Sequence, residues 1–287
     1  MIYVLLNPLS NNKKGKSAEA ELCRIFENEK ITFKNILEIE NVKDFCKNIC
    51  AEDKLIVSGG DGTLSNFVHD VYGLNPEYEV YLYASGSGND FMNDVHDKCE
   101  IKNRLIPLNV FMKSLPEVTV NGLKRRFING IGFGIDGSCC QESDRLRRSS
   151  DRKVNYTLIA LKILLFKYKT NNATVTVDGE SRKYTKVWLA PTMLGRFYGG
   201  GMMIAPGQNR LNQEKVLTNV VCHDATILRI LSVFPGIYKG LHEKHTDVVD
   251  FRTGHEITVE FDKPQALQID GETFEDVTSY SVRYGLD

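Results

Sequence analysis

The first hundred residues of the chain alternate between short apolar runs and segments with helical periodicity. Apolar runs typical of strands occupy residues 2–6, 31–39 and 54–57. Segments with apolar positions on one helical face follow them, at residues 16–29, 42–50 and 64–71. Strands that alternate with helices indicate a parallel sheet covered by helices. The pattern therefore predicts an α/β first domain over residues 1–105.

Hairpin signals replace this pattern in the rest of the chain. Asn121-Gly122 and Asp178-Gly179 each separate two segments rich in β-branched and aromatic residues, which is typical of a two-residue hairpin turn. Further strand-like segments lie at residues 216–222, 256–261 and 266–269, and one long helical pattern at 154–169. Residues 106–274 are therefore predicted to form a β-rich, antiparallel, sandwich-like domain, and a return of the tail 275–287 to the first domain stays open.

Composition and charge narrow the class of protein. With 36 basic and 37 acidic residues the net charge is -1, so no overall field attracts the chain to nucleic acid. The seven cysteines include no C-x-x-C spacing, which favours a reducing compartment over a disulfide framework or a zinc site. No apolar run approaches the roughly 18 residues of a membrane-spanning helix, and the first residues lack a signal-peptide pattern. We expect a cytoplasmic protein.

The segment with the clearest chemistry is Gly59-Gly60-Asp61-Gly62-Thr63, which joins a predicted strand to a predicted helix. Glycines let a backbone turn sharply and approach a polyanion, and the N–H groups at a helix start point towards it. A turn without a ligand needs only one or two glycines and does not explain the Asp and the Thr. The segment predicts a phosphate-binding turn.

This turn and four further segments, in the same order along the chain, resemble the diacylglycerol kinase catalytic domain superfamily, which also contains sphingosine, ceramide and NAD kinases. The further segments are Asn7-Pro8, Gly86-Ser87-Gly88-Asn89-Asp90-Phe91, Gly199-Gly200-Gly201-Met202-Met203-Ile204-Ala205-Pro206 and Ile269-Asp270-Gly271-Glu272. The resemblance spans about residues 2 to 275. It implies an NAD-kinase-like first domain and a kinase that uses ATP and Mg²⁺.

The resemblance also implies which residues bind the nucleotide. They are Asn7, Gly59, Gly60, Asp61, Gly62, Thr63, Gly86, Ser87, Asn89 and Asp90. Asn89 and Asp90 are equally suited to cap a helix, and the two roles are compatible. Within this set the carboxylate of Asp61 would position a metal ion or the phosphoryl acceptor.

A lipid hydroxyl is a poor nucleophile, so phosphoryl transfer to it requires a carboxylate that takes its proton. The resemblance assigns this role to Glu272, with Asp270 orienting it or helping to hold the metal. From the residues alone, Asp270-Gly271 is a hairpin signal, just like the second Asp-Gly-Glu at residues 178–180. Only the resemblance separates the two turns.

One segment departs from the family. The family carries an Asp shortly after Ile-Ala-Pro, and in related bacterial enzymes that region supports a second, structural magnesium. Here residues 207–215 contain no Asp. Either Asn212, Glu214 or a backbone carbonyl replaces it as an oxygen ligand near Leu211, or the structural site is lost.

The sequence leaves the acceptor and several alternatives open. Diacylglycerol is the first expectation, with transient, peripheral contact at the inner face of the membrane. Five basic residues in 145–153 precede the helical pattern at 154–169, which suits either a membrane surface or a solvated loop before a core helix. An exposed edge strand would permit a homodimer.

Three competing functions remain. Residues 10–17 match a P-loop except that Ser10 replaces its first Gly. An NAD kinase would carry Asn-Glu where this chain has Asn89-Asp90, which favours a lipid kinase. A non-catalytic nucleotide or lipid sensor is disfavoured because Asp61, Thr63, Asp270 and Glu272 are all present.

Overall fold

The computed structural model describes residues 1–10, 16–86, 88–149, 159, 162–165 and 168–285. It divides into two compact units, Met1–Leu115 and Pro116–Asp287. The sequence-based boundary lies ten residues earlier, at 105/106. The tail, for which a return to the first domain stayed open, belongs to the second unit, where its strand Glu272–Arg283 is paired.

The first unit is built on a five-stranded sheet. Its strands are β1 (Ile2–Leu6), β2 (Ile31–Asn35), β3 (Lys54–Gly59), β4 (Glu79–Ala84) and β5 (Leu105–Pro107). Their order is β2-β1-β3-β4-β5, and all neighbours are parallel except β4 and β5. The apolar runs of β1 and β3 are buried because both faces of a parallel sheet are covered.

Helices follow these strands, and the periodicity predicts those at residues 16–25, 42–47 and 61–70. They are α1 (Lys16–Ile25), α2 (Val42–Lys47), α3 (Asp61–Asp70), α4 (Asp90–Val95), α5 (Asn109–Met112) and a 3₁₀ helix at Ile36–Glu38. Leu22 of α1 packs on Val4 of β1 and Ile56 of β3 in one apolar cluster. The predicted α/β class of the first domain is confirmed.

Antiparallel strands dominate the second unit. They are β6 (Glu117–Val120), β7 (Leu123–Arg126), β8 (Gly130–Phe133), β9 (Asn171–Val177), β10 (Glu180–Val187), β11 (Thr192–Met193), β12 (Phe197–Tyr198), β13 (Met202–Met203), β14 (Leu217–Cys222), β15 (Val249–Gly254), β16 (Glu256–Ile269) and β17 (Glu272–Arg283). Ten strands form one sheet, β15-β14-β11-β8-β16-β17-β6-β7, with β9 joining both β16 and β10. The β-rich second domain is confirmed.

The long strand β16 connects two parts of this sheet. Residues 257–261 pair with β9, and residues 267–269 pair with β8. The register against β17 shifts between Glu260 and Gln265, at the point where β16 exchanges one neighbour for the other. The two strands predicted at 256–261 and 266–269 are therefore one irregular strand.

Three hairpins of this unit have turns of two residues each. Both residues have positive φ at Asn121-Gly122 (48° and 79°), Asp178-Gly179 (47° and 86°) and Asp270-Gly271 (48° and 89°). These angles define the tight hairpin turn that matches the twist of its strands. The turns join β6 to β7, β9 to β10 and β16 to β17.

The second unit also contains two helices that the periodicity does not predict, α6 (Ile135–Ser149) and α7 (Ile227–Ile237). Near the start of α6, Gly137 lies so close to β16 that an added Cβ would be 1.9 Å from the carbonyl oxygen of Ala266. Of the predicted helix at 154–169, residues 159 and 162–165 are helical, and most of the others lie outside the described residues. No helix in the described ranges is long and apolar enough to span a membrane.

Candidate active site

The predicted phosphate-binding turn lies where β3 ends and α3 begins. Gly60 is the N-cap residue of α3, and no side chain caps the helix. Helix starts leave backbone N–H groups without intrahelical partners, and these groups attract anions. The turn therefore presents the geometry of an anion site at the carboxyl end of the sheet, where open α/β sheets bind ligands.

Two glycine turns are in backbone contact at this point. The backbone N–H of Ser85 donates to the carbonyl oxygen of Gly59 at 2.9 Å. A Cβ added to Gly86 would lie 2.5 Å from Cα of Gly60, and one added to Gly60 would lie 3.0 Å from Cα of Gly86. The close approach requires glycine at both positions. By contrast, a Cβ added to Gly62 would meet no atom within 4 Å.

We expect Gly86→Ala and Gly62→Ala to have opposite effects on stability. The Gly86 variant must separate the two turns and should lose roughly 1–3 kcal/mol of unfolding free energy. The Gly62 variant should retain or gain stability, by up to about 1 kcal/mol, because Ala favours a helix. Urea denaturation measures both. Equal stability of the two variants would contradict the close packing of the turns.

Asn7 and Thr63 meet although 56 positions separate them. Nδ2 of Asn7 donates to Oγ1 of Thr63 at 2.8 Å. Its Oδ1 accepts from the backbone N–H of Leu9 at 3.0 Å, which fixes the loop after β1. Residues 11–15 of the P-loop-like segment lie outside the described residues. The Asn-Pro opening and the glycine turn thus form one local cluster.

The carboxylate of Asp61 holds the start of α4. Its Oδ2 accepts from the backbone N–H of Asp90 at 3.1 Å, and its Oδ1 from that of Phe91 at 3.0 Å. Asn89 is the N-cap residue, in a left-handed conformation with φ of 55°, and its own side chain does not cap the helix. Instead, its buried Oδ1 accepts no hydrogen bond within the described part of the chain. Ser87 lies outside that part.

In the second unit, Asp270 is anchored by three backbone N–H groups. Its Oδ1 accepts from Asn129 at 2.8 Å and Gly130 at 3.0 Å, and its Oδ2 from Ile128 at 2.8 Å. Oε1 of the buried Gln268 accepts from the backbone N–H of Gly271 at 2.7 Å. Asp270 thus fixes the turn that carries Glu272. Its roles in orienting the base and in holding a metal stay predictions.

Glu272 begins β17 with an exposed side chain, and its Oε2 lies 2.5 Å from Nη1 of Arg125. The residue pattern did not indicate this partner, because the Lys124-Arg125-Arg126 run is typical of a charged edge strand. In the other Asp-Gly-Glu turn, Asp178 likewise accepts from backbone N–H groups, and Glu180 lies 3.8 Å from Arg252. The two turns share a backbone design, so the structure alone does not assign the base.

The sequence also did not indicate a buried arginine behind the Asp270 turn. Arg210 is 4% exposed, and its guanidinium donates to the carbonyl oxygen of Ile128 and to Oδ1 of Asn129, both at 3.0 Å. The backbone N–H groups of the same two residues hold Asp270. Arg210 therefore supports the segment that positions Asp270.

The segment expected to hold a structural magnesium is closed by an amide. Nδ2 of Asn212 donates to the carbonyl oxygens of Asn209 at 2.6 Å and Val216 at 3.0 Å, and its Oδ1 accepts from the N–H of Val216 at 2.8 Å. Both ends of the Asn212 amide are thereby hydrogen-bonded to the backbone of its own loop. No group of three His, Cys, Asp or Glu side chains suited to a metal occurs among the described residues. An Asn212 held in this way favours loss of the structural magnesium site, which stays a prediction together with the alternative ligands near Leu211 and Glu214.

Asn212→Asp should lower the unfolding free energy by about 1–3 kcal/mol, because it removes two amide donors and turns a negative oxygen towards two carbonyl groups. Thermal denaturation measures this loss. Loss of the structural magnesium site further predicts that the wild-type melting temperature is the same in EDTA and in MgCl₂. A wild-type protein that loses stability in EDTA would show that the loop does hold a metal.

A buried carboxyl group lies in the second unit, away from any motif. Asp136, in the first turn of α6, is 7% exposed, and neither of its carboxylate oxygens meets hydrogen-bond geometry with another described group. Burial raises the pKa of Asp136 to about 7, although the backbone N–H groups of Asp136 and Gly137 oppose the shift. The carboxylate of Asp136 lies against Gly132 of β8, because a Cβ added there would be 1.6 Å from Oδ2 of Asp136 and 2.8 Å from Nε2 of Gln268.

Family models match both units of the chain. Residues 1–114 match the diacylglycerol kinase catalytic domain, and residues 129–282 match the YegS C-terminal NAD kinase beta sandwich-like domain. The first match contains the glycine turns, and the second contains the Asp270 turn. Both follow the domain order that the five motifs imply.

Curated relatives and solved structures agree with these matches. The chain is 25% identical over 283 residues to "Putative lipid kinase YtlR" of Bacillus subtilis, covering 87% of this chain and 86% of the relative. It is 25% identical over 244 residues to a "Putative lipid kinase" of Staphylococcus epidermidis, covering 79% and 75%. A crystal structure titled as a putative diacylglycerol kinase from Bacillus anthracis superposes with a TM-score of 0.68 at 17% identity, covering 99% of this chain and 93% of that one.

Proposed function

The chain belongs to the diacylglycerol kinase family, and on that premise we propose that it transfers the γ-phosphate of ATP·Mg²⁺ to the hydroxyl group of a lipid. Diacylglycerol is the first acceptor to consider, and phosphatidic acid would be its product. The backbone contact between Gly60 and Gly86 carries the proposal, because it presents the start of α3 to an anion. The printed names of the two relatives, both lipid kinases, support a lipid acceptor.

The proposal gives each part of the first unit a task. Backbone N–H groups of residues 59–62 receive the phosphates, and Asn7 and Thr63 flank them. Oδ1 of Asn89 is a buried acceptor without a partner in the described chain, suited to a hydroxyl or amino group of the nucleotide. Magnesium bound to the ATP substrate would neutralise the charge that phosphoryl transfer develops. Asp61 acts through α4, whose start it holds in place.

Glu272 is proposed to accept the proton of the lipid hydroxyl as the new oxygen–phosphorus bond forms. Its exposed carboxylate extends from a turn fixed by Asp270 and Gln268, so little side-chain freedom is lost when it acts. The ion pair with Arg125 uses Oε2 and holds the side chain in one orientation. Because its acceptor is a bilayer lipid, the enzyme is proposed to work in the cytoplasm with transient contact to the membrane.

The test is transfer of labelled γ-phosphate from ATP·Mg²⁺ to diacylglycerol in mixed micelles, with sphingosine, ceramide and NAD as parallel acceptors. Labelled phosphatidic acid would establish the proposed reaction. Transfer to another lipid would correct the acceptor only. Transfer to NAD alone, or nucleotide binding without transfer to any of the four, would contradict the lipid kinase.

A further inference from the structure

A buried cation lies behind the Asp270 turn and is linked to it through a single peptide group. Nη1 of Arg210 donates to the carbonyl oxygen of Ile128 at 3.0 Å. The other end of that peptide group is the N–H of Asn129, which donates to Oδ1 of Asp270 at 2.8 Å. A guanidinium and a carboxylate thus bind the two ends of one peptide dipole. Each hydrogen bond polarises the peptide group and strengthens the other.

Asn129 makes this link rigid. Its Oδ1 accepts from Nη2 of Arg210 at 3.0 Å, and its carbonyl oxygen accepts from the backbone N–H groups of Leu194 and Gly195 at 2.9 and 3.0 Å. The whole residue is buried. Because the planar guanidinium binds the carbonyl oxygen of Ile128 and the side chain of Asn129 together, it fixes the peptide group and the side chain in one orientation.

The loop that carries Arg210 is closed on both sides of it. Nε2 of the buried Gln208 and Nδ2 of Asn212 each donate to the carbonyl oxygen of Val216 at 3.0 Å. Oε1 of Gln208 also accepts from the hydroxyl of Thr218 at 2.7 Å. The main chain before and after Arg210 is therefore held by hydrogen bonds, and the guanidinium reaches its two acceptors from a fixed loop.

In the second Asp-Gly-Glu turn, the neighbouring arginine makes no such link. Asp178 accepts from two backbone N–H groups, at 2.9 and 2.8 Å. Arg252 lies beside this turn and donates to the carbonyl oxygens of Val175 and Glu180, and neither of these belongs to a peptide group that donates to Asp178. Burial of a guanidinium costs free energy. The cation behind Asp270 therefore indicates a requirement beyond the hairpin itself.

We propose that Arg210 is a positioning residue for the reaction: acting through one peptide group, it holds Asp270 and thereby the orientation in which Glu272 takes the proton. The inference rests on the proposed function, in which Glu272 is the base. Asp270 and Glu272 place two negative charges on one turn, where they repel each other. Arg210 compensates the first charge through the peptide group, and Arg125 lies 2.5 Å from the second. Each carboxylate of the turn thus has its own cation.

Hydrogen exchange of single backbone amides, followed by NMR on the full chain, tests the link without any turnover. Arg210→Met keeps a long, unbranched side chain and removes the guanidinium. The amide of Asn129 should exchange about two- to thirtyfold faster in this variant, the range that substitutions along a coupled network produce. The amides of His255 and Glu256, which donate to Asp178, are the internal control and should exchange at the wild-type rate.

Turnover tests whether the link serves the reaction. With the acceptor that the wild type phosphorylates, Arg210→Met should reduce turnover by about ten- to a hundredfold and leave KM for ATP·Mg²⁺ unchanged, because the base is displaced and the nucleotide turn is not. Arg210→Lys keeps the charge but cannot span both acceptors, so it should lose less. The matched control is Arg252→Met, which removes an arginine that also donates to two backbone carbonyl groups, and it should keep wild-type turnover.

Three results would overturn the proposal: wild-type exchange at Asn129 in Arg210→Met, equally faster exchange at Asn129 and at the two control amides, or full turnover of Arg210→Met in an enzyme that Glu272→Gln inactivates. The second result would reduce Arg210 to a general contribution to stability. If Arg210→Met does not fold, the same comparisons with Arg210→Lys decide. A wild-type chain that phosphorylates no acceptor, but whose Asn129 amide responds to Arg210→Met, would contradict the proposed reaction and leave the link to Asp270 standing.

Discussion

Glu272→Gln is expected to reduce turnover by about 10²- to 10⁴-fold while leaving nucleotide affinity unchanged, because general-base catalysis contributes factors of that size. The substitution keeps the shape of the side chain and removes its ability to take a proton. The backbone turn should persist, since Asp270 and Gln268 hold it from outside the substituted position. Steady-state phosphoryl transfer gives turnover, and equilibrium binding of a fluorescent nucleotide gives affinity.

The chain supplies a matched control in its second Asp-Gly-Glu turn. Glu180 follows the same pair of positive φ residues and also lies near an arginine, so Glu180→Gln changes the same atoms in the same local geometry. We expect wild-type turnover from this variant. Equal losses in both variants would indicate a structural effect, and full activity of Glu272→Gln would remove Glu272 from the mechanism.

Asp136→Asn is expected to stabilise the fold, and to do so more strongly as the pH rises. Burial raises the pKa of Asp136 from 3.8 to about 7 in the folded state. Between those values the folded chain holds a proton that the unfolded chain has released, so wild-type stability falls as pH rises through this window and is constant above it. An amide carries no charge and avoids that loss.

At about 1.36 kcal/mol per pH unit, the advantage of the Asn variant should grow by roughly 2 to 3 kcal/mol between about pH 5 and about pH 8. Urea denaturation at the two pH values measures it. Asp276→Asn, which removes an exposed carboxylate from β17 in the same unit, serves as the control and should show no such growth. An advantage that is the same at both pH values would mean that Asp136 is ionised throughout.

The alternation of apolar runs and helical faces was enough to predict the α/β class of the first unit. The reason is that parallel strands buried on both faces need continuous apolar runs, and their crossovers need helices. The Asp-Gly and Asn-Gly turns could also be predicted from the sequence, because positive φ at two consecutive residues strongly restricts the residue types that fit. Local chemistry sufficed in both cases.

Helices α6 and α7 show where local patterns fail. The start of α6 contains two cysteines and Gly137, a weak helix former that lies in contact with β16. Helix α7 has Arg229 and Ser232 as its two polar positions and contains Pro235, so it lacks the broad polar face that marks a helix in a sequence. Tertiary packing decides the conformation of both segments.

By itself the sequence determined the alternation of strands and helices in the first unit, the glycine turn between β3 and α3 and the position of each Asp-Gly hairpin, since these depend on residues adjacent in the chain. Only the tertiary structure decided that Asn7 donates a hydrogen bond to Thr63, that Asp61 accepts hydrogen bonds from the start of α4 and that Asp270 accepts hydrogen bonds from three backbone N–H groups. It also decided that the Asn212 amide closes the loop expected to bind magnesium. Each of these contacts joins groups whose distance depends on how the strands and loops pack, a quantity that spacing along a chain does not contain.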